Sequence, residues 1–208
     1  MLRTLMLFAI TVGLYADPVN YAVTVDTSSI SGTSGNIDFQ FNPGFGTFDP
    51  AFVTILSFAS DGTLAGSPMV MGDVTGTLPP GLTIQNTTGL NDYTEGFTFG
   101  NTLSFLVTFG GQAITSPSGT ATAGSTFAFS LFNSDFSSAL LTTDAVNGAL
   151  VEGDVDTQGH IAVTNLGVDS TTDVSPVPEP AWAGTIAAGL LGLAIAIKGY
   201  REYSSSRR

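Results

Sequence analysis

Two aspartates and a glycine in the stretch D-V-D-T-Q-G, residues 154–159, have the spacing of a calcium-binding loop. Such loops place oxygen ligands at positions one, three and five, glycine at position six and a bidentate glutamate at position twelve. Here Asp154 and Asp156 fill the first two ligand positions, but Gln158 stands third and Asn165 stands twelfth. Because both flanks are typical of strands, we expect a plain β-hairpin turn, with calcium binding at Asp154 and Asp156 as the alternative.

The single histidine, His160, limits the catalytic sites that the chain can build. A Ser-His-Asp triad would have to use His160, with Asp154 or Asp156 orienting the imidazole ring. A zinc site based on histidine needs more nitrogen or sulfur ligands than one His supplies. We therefore expect His160 to be exposed at the end of a hairpin turn.

Two further groups of residues bear on carbohydrate chemistry. A pair of carboxylates can hydrolyse a glycosidic bond, but nothing in the sequence brings Glu95 and Glu152 together, so a glycan-active enzyme is the least favoured hypothesis. A carbohydrate-binding face would use exposed aromatic side chains, for which Tyr93, Phe45 and Phe48 are candidates on expected loops. The triplet N-T-T at 86–88 fits a glycosylation acceptor, a pattern that also occurs often by chance.

The distribution of charge excludes several functions for residues 17–180. All five basic residues lie outside this window, and of the 17 acidic residues only Glu202 does, so the window carries 16 acidic side chains and no Lys or Arg. Nothing in it can neutralise phosphate, which excludes nucleic acid as a partner. Cysteine is absent, which excludes disulfides, a thiol nucleophile and Cys-ligated metal. No cofactor is indicated, although a divalent cation such as calcium would relieve the repulsion.

Apolar and polar residues alternate with period two through most of the window. Five runs show the pattern, around residues 21–25, 37–41, 103–109, 127–131 and 161–163, while residues 52–59 are apolar on both faces and suit a central strand. Turn formers such as Asp61-Gly62 and Asn147-Gly148 separate these runs. The pattern predicts an all-β domain, an antiparallel β-sandwich or jelly roll of nine to twelve strands, over residues 17–168.

The first sixteen residues have the organisation of a signal peptide. Arg3 supplies a positive charge, residues 5–14 are almost wholly apolar, and Ala16 is a candidate for the residue before cleavage. The apolar run is too short to span a bilayer comfortably. We expect residues 1–16 to direct export.

An uncharged apolar run at 181–197 predicts a single transmembrane helix. Trp182 marks one interface, and the basic tail 198–208, with Lys198, Arg201, Arg207 and Arg208, is expected to be cytoplasmic by the positive-inside rule. Small residues recur every four positions along the run, a spacing that lets another helix approach closely in lipid. These residues are Gly184, Ala188, Gly192 and Ala196.

Pro178, Glu179 and Pro180 directly precede the apolar run. Proline favours extended structure in the residue before it, so the motif presents one anionic side chain on an extended segment. V-P-E-P, an apolar helix and a terminal Arg cluster together resemble the PEP-CTERM sorting signal over residues 177–208. The resemblance implies recognition by an exosortase, an integral-membrane cysteine protease or transpeptidase of exopolysaccharide-producing bacteria, with Pro178, Glu179 and Pro180 as the sorting motif and the span removed on maturation.

The exported window also resembles an ectodomain type that recurs among PEP-CTERM proteins, on stretches such as I-D-F-Q-F-N-P-G at 37–44 and G-S-T-F-A-F-S-L-F at 124–132. That resemblance helps to place the domain limits, but it brings no assigned activity. Residues 169–180 are polar and lack alternation, which predicts a stalk. We expect a non-enzymatic surface or extracellular-matrix protein with an exosortase and the membrane as partners; the alternative is a carbohydrate-binding module associated with exopolysaccharide.

Overall fold

The computed structural model describes residues 19–177, which fold into two antiparallel β-sheets. Sheet A contains, in spatial order, β13 (Thr172–Pro176), β1 (Val19–Asp26), β9 (Thr102–Gly111), β3 (Ala51–Ser60), β7 (Gly81–Gln85) and β6 (Val74–Thr77). Sheet B contains β12 (Ile161–Asn165), β11 (Ala149–Val155), β10 (Ser125–Asn133), β2 (Ser34–Pro43), β8 (Asp92–Thr98) and β4 (Thr63–Leu64), and β5 (Met69–Met71) also pairs with β8. The prediction of an all-β, antiparallel domain is confirmed.

The core is a layer of phenylalanines between the two sheets. Phe105 of sheet A packs edge-to-face on Phe39 and Phe129 of sheet B, with ring centroids 5.1 and 4.8 Å apart. Phe109 of sheet A meets Phe127 of sheet B at 5.9 Å in the same geometry. Edge-to-face pairs of this kind add to the stabilisation that comes from burying the rings.

The predicted alternation corresponds to the observed burial. On β2 the residues Ile37, Phe39 and Phe41 are fully buried, and the inward residues of β9 and β10 are buried in the same way. The run expected to be a central strand, residues 52–59, lies in β3, between β9 and β7 in the interior of sheet A. Alternation therefore assigned these side chains to the correct face of their sheets.

The strand count of nine to twelve was too low, because the described residues contain thirteen strands. The region 63–77 contributes three short strands, β4, β5 and β6, whose residues are mostly exposed. Since these strands bury little, they lack the apolar alternation by which the longer strands were recognised. The 3-10 helix Ser28–Ile30 and the single turn α1 (Gln112–Thr115) complete the regular structure.

The prediction of a stalk at 169–180 is wrong for residues 172–176. These residues form β13, which pairs with β1 in the register Tyr21↔Pro176 to Val25↔Thr172. Thr172 is buried and Val174 packs against the core. Directly after the strand, Val177 N donates to Asn20 O at 2.8 Å. The folded unit therefore ends at Val177 and not at residue 168.

Several predicted segments lie outside the described residues. They are the signal peptide 1–16, the motif Pro178-Glu179-Pro180, the span 181–197 with Trp182 and its small-residue stripe, and the basic tail 198–208. Within 19–177, no helix combines the length and apolar character that crossing a bilayer requires. The transmembrane helix therefore stays a prediction.

Shortening Val174 tests whether β13 is part of the folded domain. Val174→Ala should lower the free energy of unfolding by about 1 kcal/mol, because it removes apolar surface that packs against the core. The matched change Ser175→Ala, on the exposed face of the same strand, should have almost no effect. Thermal melts of both variants measure the difference; equal melting temperatures would restore the stalk interpretation.

Candidate functional site

The stretch with calcium-loop spacing forms the β-hairpin turn between β11 and β12, as expected. Asp156 closes the turn: Oδ1 accepts the backbone N–H groups of Gln158 and His160 at 2.7 and 2.9 Å. Asp154 instead accepts the hydroxyl of Thr126 at 2.6 Å. The two carboxylates thus serve different protein donors, and residues 19–177 contain no cluster of three His, Cys, Asp or Glu side chains arranged to hold a metal ion.

His160 lies at the end of this turn, and 74% of its side-chain surface is exposed. Its Nδ1 is 2.8 Å from Asp156 Oδ2, so one of the two predicted orienting aspartates does contact the ring. This contact is the main reason that the pKa of the Asp156 carboxyl lies below its ordinary value. No serine or threonine hydroxyl among the described residues bonds to His160. Within residues 19–177, His160 and Asp156 are therefore arranged like two members of a triad, but no hydroxyl nucleophile contacts the histidine.

The two glutamates considered for glycoside hydrolysis point to opposite faces of sheet B. Glu95 pairs with Ile37 on the core side and is buried. Glu152 pairs with Ala128 on the outer side, where desolvation and then the charges of Asp154 and Asp144 raise its pKa. Retaining and inverting glycosidases need both carboxyl groups on one substrate. This pair cannot provide that geometry.

Tyr93 is not an exposed loop residue, and its prediction as a carbohydrate contact is wrong. It is fully buried on β8, and its hydroxyl donates to Glu95 Oε2 at 2.6 Å. Glu95 Oε1 accepts Gly66 N at 2.7 Å, so the buried carboxyl group has a donor at each oxygen. Burial, followed by the contact with Glu95, raises the pKa of Tyr93 to about 12. The phenol therefore remains protonated and continues to donate.

Asn86 of the possible glycosylation triplet is also buried. Its Nδ2 donates to Asp49 O and Ser125 Oγ at 2.9 and 2.8 Å, and its Oδ1 accepts Ala51 N at 2.9 Å. The side chain ties β3 and β10 to the segment that follows β7. In the folded domain it is not accessible as a glycan acceptor.

A pair of carboxyl groups on β2 and β8 was not predicted. Thr94 Oγ1 lies 3.1 Å from Asp38 Oδ1 and 3.0 Å from Asp92 Oδ1. A hydroxyl has one proton, so it can donate to only one carboxylate, and a protonated carboxyl can donate to it in turn. Burial, followed by the neighbouring Asp92, raises the pKa of Asp38 to about 8. Asp38 is therefore largely protonated at neutral pH.

A groove of about 370 Å³ opens beside the loop that follows β10. We call it the Phe136 groove. It is lined by Phe132, Phe136, Ser137, Ser138, Ala139, Thr142, Asp144, Ala145, Val146, Asn147 and Gly148. Phe132 turns away from the core at the end of β10, and its ring lies 5.8 Å from that of Phe136. A volume of this size is within the range of small-molecule sites.

One carboxylate builds the far wall of the Phe136 groove. Asp144 Oδ1 accepts Val146 N and Asn147 N at 2.9 and 3.1 Å, and Oδ2 accepts Ala149 N at 3.2 Å. These backbone donors hold the pKa of Asp144 below its ordinary value, so the group is ionised at neutral pH. Gly148 follows with φ +76°; a Cβ there would lie 2.8 Å from that of Ala139.

The sequence contained part of the signal for this groove. Phe136 stands in N-S-D-F-S-S, an aromatic residue among turn formers, which is the criterion that selected Phe45 and Phe48. Phe45 is indeed fully exposed, and Phe48 is partly buried. What the sequence did not show is that the loop 142–148 folds beside Phe136, because the contact depends on β10 pairing with β11.

No family model, curated protein or solved structure matches this chain.

The raised pKa of Asp38 predicts how stability depends on pH. The folded-state pKa of about 8 exceeds the unfolded value near 3.8, so the stability that the proton contributes is fully present below about pH 4. It is lost as the pH rises through 8. Asp38→Asn, which is neutral throughout, should match the melting temperature of the parent protein near pH 4 and exceed it by several degrees at pH 9.

The exposed Asp173 of β13 provides a control, since Asp173→Asn removes the same charge from an open position. Melting curves between pH 4 and 9 should show a much smaller change in this variant. If the two variants respond alike, general repulsion and not the proton bound by Asp38 sets the pH dependence.

Proposed function

We propose that the chain is a non-enzymatic surface or extracellular-matrix protein that is exported, sorted and cleaved by an exosortase-type enzyme. The observation that carries the proposal is the pairing of β1 with β13. Tyr21 stands opposite Pro176, and Val177 N bonds to Asn20 O. The residues next to the predicted leader and those next to the predicted sorting motif are thus neighbours at one edge of sheet A.

This arrangement suits a domain that is processed at both ends. Cleavage before Val19 or after Val177 would leave all five β1–β13 pairs intact. Neither cut would remove a residue of the buried core, since the core begins with Val23 and all of it precedes β13. The mature body would keep its fold after both segments were removed.

The predicted sorting motif directly precedes the predicted span, with three residues between Val177 and residue 181. The motif would therefore be read beside the membrane, where an integral-membrane enzyme operates.

A carbohydrate-binding role in the exopolysaccharide is the second candidate. It is favoured by one observation: the Phe136 groove combines a half-exposed aromatic ring with polar side chains on a rigid loop. Recognition of glycans by such a groove is compatible with the first proposal, because a protein of the extracellular matrix can be retained there by binding the exopolysaccharide.

Charge-matched substitutions test the sorting proposal. Glu179→Gln removes the carboxylate of the motif, while Glu202→Gln removes one from the basic tail. We expect the mature protein from its own cells to begin at or near Asp17 and to end at or near the motif. Glu179→Gln should retain residues 181–208, and Glu202→Gln should be processed normally.

Intact-mass spectrometry of the three proteins measures both ends directly. A mature protein that retains Arg208, or a Glu179→Gln variant processed as fully as the parent, would contradict the proposal.

A further inference from the structure

The ring of Phe136 is held at the mouth of its groove by a closed network of hydrogen bonds. Asn133 N donates to Ser138 O at 3.0 Å and Phe136 N donates to Asn133 O at 3.2 Å. The Asn133 side chain bonds to Ser137 Oγ at 2.9 Å and accepts Ser138 N at 3.1 Å. The loop 133–138 is thus fixed before any ligand arrives, which reduces the entropy lost on binding.

Phe136 adopts an unusual backbone conformation for this position. Its φ is +60°, in the left-handed region that disfavours bulky side chains. Even so, 46% of its surface is exposed, so the ring gains little from burial to offset that conformation. Strained backbone that packing does not explain is concentrated at binding sites. Leu141, on the chain between the two loops, also has a φ of +60°.

The polar groups around the ring match the hydroxyl groups of a sugar. Ser137 Oγ accepts from Asn133 and bonds to the Asp135 carboxylate, which leaves one of its lone pairs free to accept. The side-chain amide of Asn147 is exposed and has no hydrogen-bond partner among residues 19–177. Asp144 Oδ1 accepts two backbone N–H groups, while Oδ2 accepts one and retains a lone pair. The groove therefore offers one hydroxyl acceptor, one amide and one anionic acceptor beside an apolar face.

The charge of the groove selects against an anionic ligand. Asp144 is ionised, Asp135 lies on the neighbouring loop with its pKa also lowered by Ser137, and residues 19–177 contain no Lys or Arg. A uronate or a phosphorylated sugar would meet repulsion without any compensating cation. A neutral sugar would place its hydroxyl protons on the same carboxylate without repulsion.

We propose that the Phe136 groove binds a neutral hexopyranose unit of a polysaccharide. The apolar face of the sugar ring stacks on Phe136, its hydroxyl groups donate to Asp144, and Asn147 and Ser137 bond to the remaining hydroxyls. The inference depends on the second candidate function and not on sorting, so a binding experiment on purified protein can fail while the sorting proposal stands.

The test is a calorimetric titration of the full-length chain in a polyoxyethylene detergent, which has no sugar headgroup, with EDTA present. The probes are neutral glucose, mannose and galactose hexasaccharides and an anionic hexagalacturonate. At least one neutral probe should bind with a Kd of about 1 mM or tighter, and hexagalacturonate should bind at least about tenfold more weakly.

A matched pair of aromatic variants locates the site. Phe136→Asn removes the stacking surface while keeping a residue that tolerates positive φ, so it should weaken binding of the neutral probe about tenfold or more with little change in melting temperature. Phe45→Asn removes the fully exposed ring of another loop and should leave the affinity unchanged. Should Phe136→Asn fail to fold, Asn147→Ala, at an exposed side chain, should still weaken binding severalfold.

Three results would overturn the proposal. They are no binding of any neutral hexasaccharide at concentrations up to about 10 mM, stronger binding of hexagalacturonate, and a loss of affinity in Phe45→Asn that equals or exceeds the loss in Phe136→Asn.

Discussion

The folded domain has to accommodate its carboxylates without any Lys or Arg. Residues 19–177 hold 14 of the 17 acidic residues, since Asp17, Glu179 and Glu202 lie outside, and no basic residue other than His160. Half of these 14 acids accept backbone N–H groups with their carboxylate oxygens, most of them at turns. Asp61 is typical: its Oδ1 accepts Asn101 N and Thr102 N at 2.7 and 2.9 Å. Such bonds stabilise the ionised form and fix the loops that connect the strands.

Hydroxyl groups and, at Asp38, a bound proton also take the place of cations. Glu95 accepts from the phenol of Tyr93 as well as from Gly66 N, and Asp38 and Asp92 meet through Thr94. These arrangements allow polar groups on the interior strands of sheet B, and the raised pKa of Asp38 makes the stability of the domain depend on pH. The lack of basic residues also affects the surface. Asp144 fixes the loop beside the Phe136 groove by accepting backbone N–H groups, and no Lys or Arg of residues 19–177 neutralises its negative charge there. The fold, its pH response and the proposed ligand class therefore have one physical origin.

The sequence predicted the parts of this structure that depend on local pattern. Period-two alternation identified β1, β2, β9, β10 and β12 and the buried faces of strands such as β2 and β10, because a strand with one face in a core must alternate. It did not identify β8 or β11. It missed β13 since Thr172–Pro176 buries only two of its five side chains appreciably, and pairing with β1 depends on residues far away in the chain. The meeting of Asp38 with Asp92 likewise depends on register. Tyr93 was misplaced because a buried tyrosine hydroxyl needs a partner that only the fold supplies, here Glu95.

The lack of Lys and Arg in residues 19–177 has its clearest consequence in how stability responds to ionic strength. A domain with no cationic partners for its acids has repulsion to screen and almost no ion pairs to weaken, apart from the exposed contact of His160 with Asp156. The decisive measurement is the melting temperature of the protein at pH 7 with EDTA, as salt increases from about 20 to about 200 mM, a range over which the Debye length falls to about 7 Å. We expect a steady rise, equal for sodium chloride and tetramethylammonium chloride, because both salts screen the repulsion between the carboxylates. A fall in melting temperature, or a rise confined to sodium, would show that uncompensated repulsion does not limit the stability of the domain.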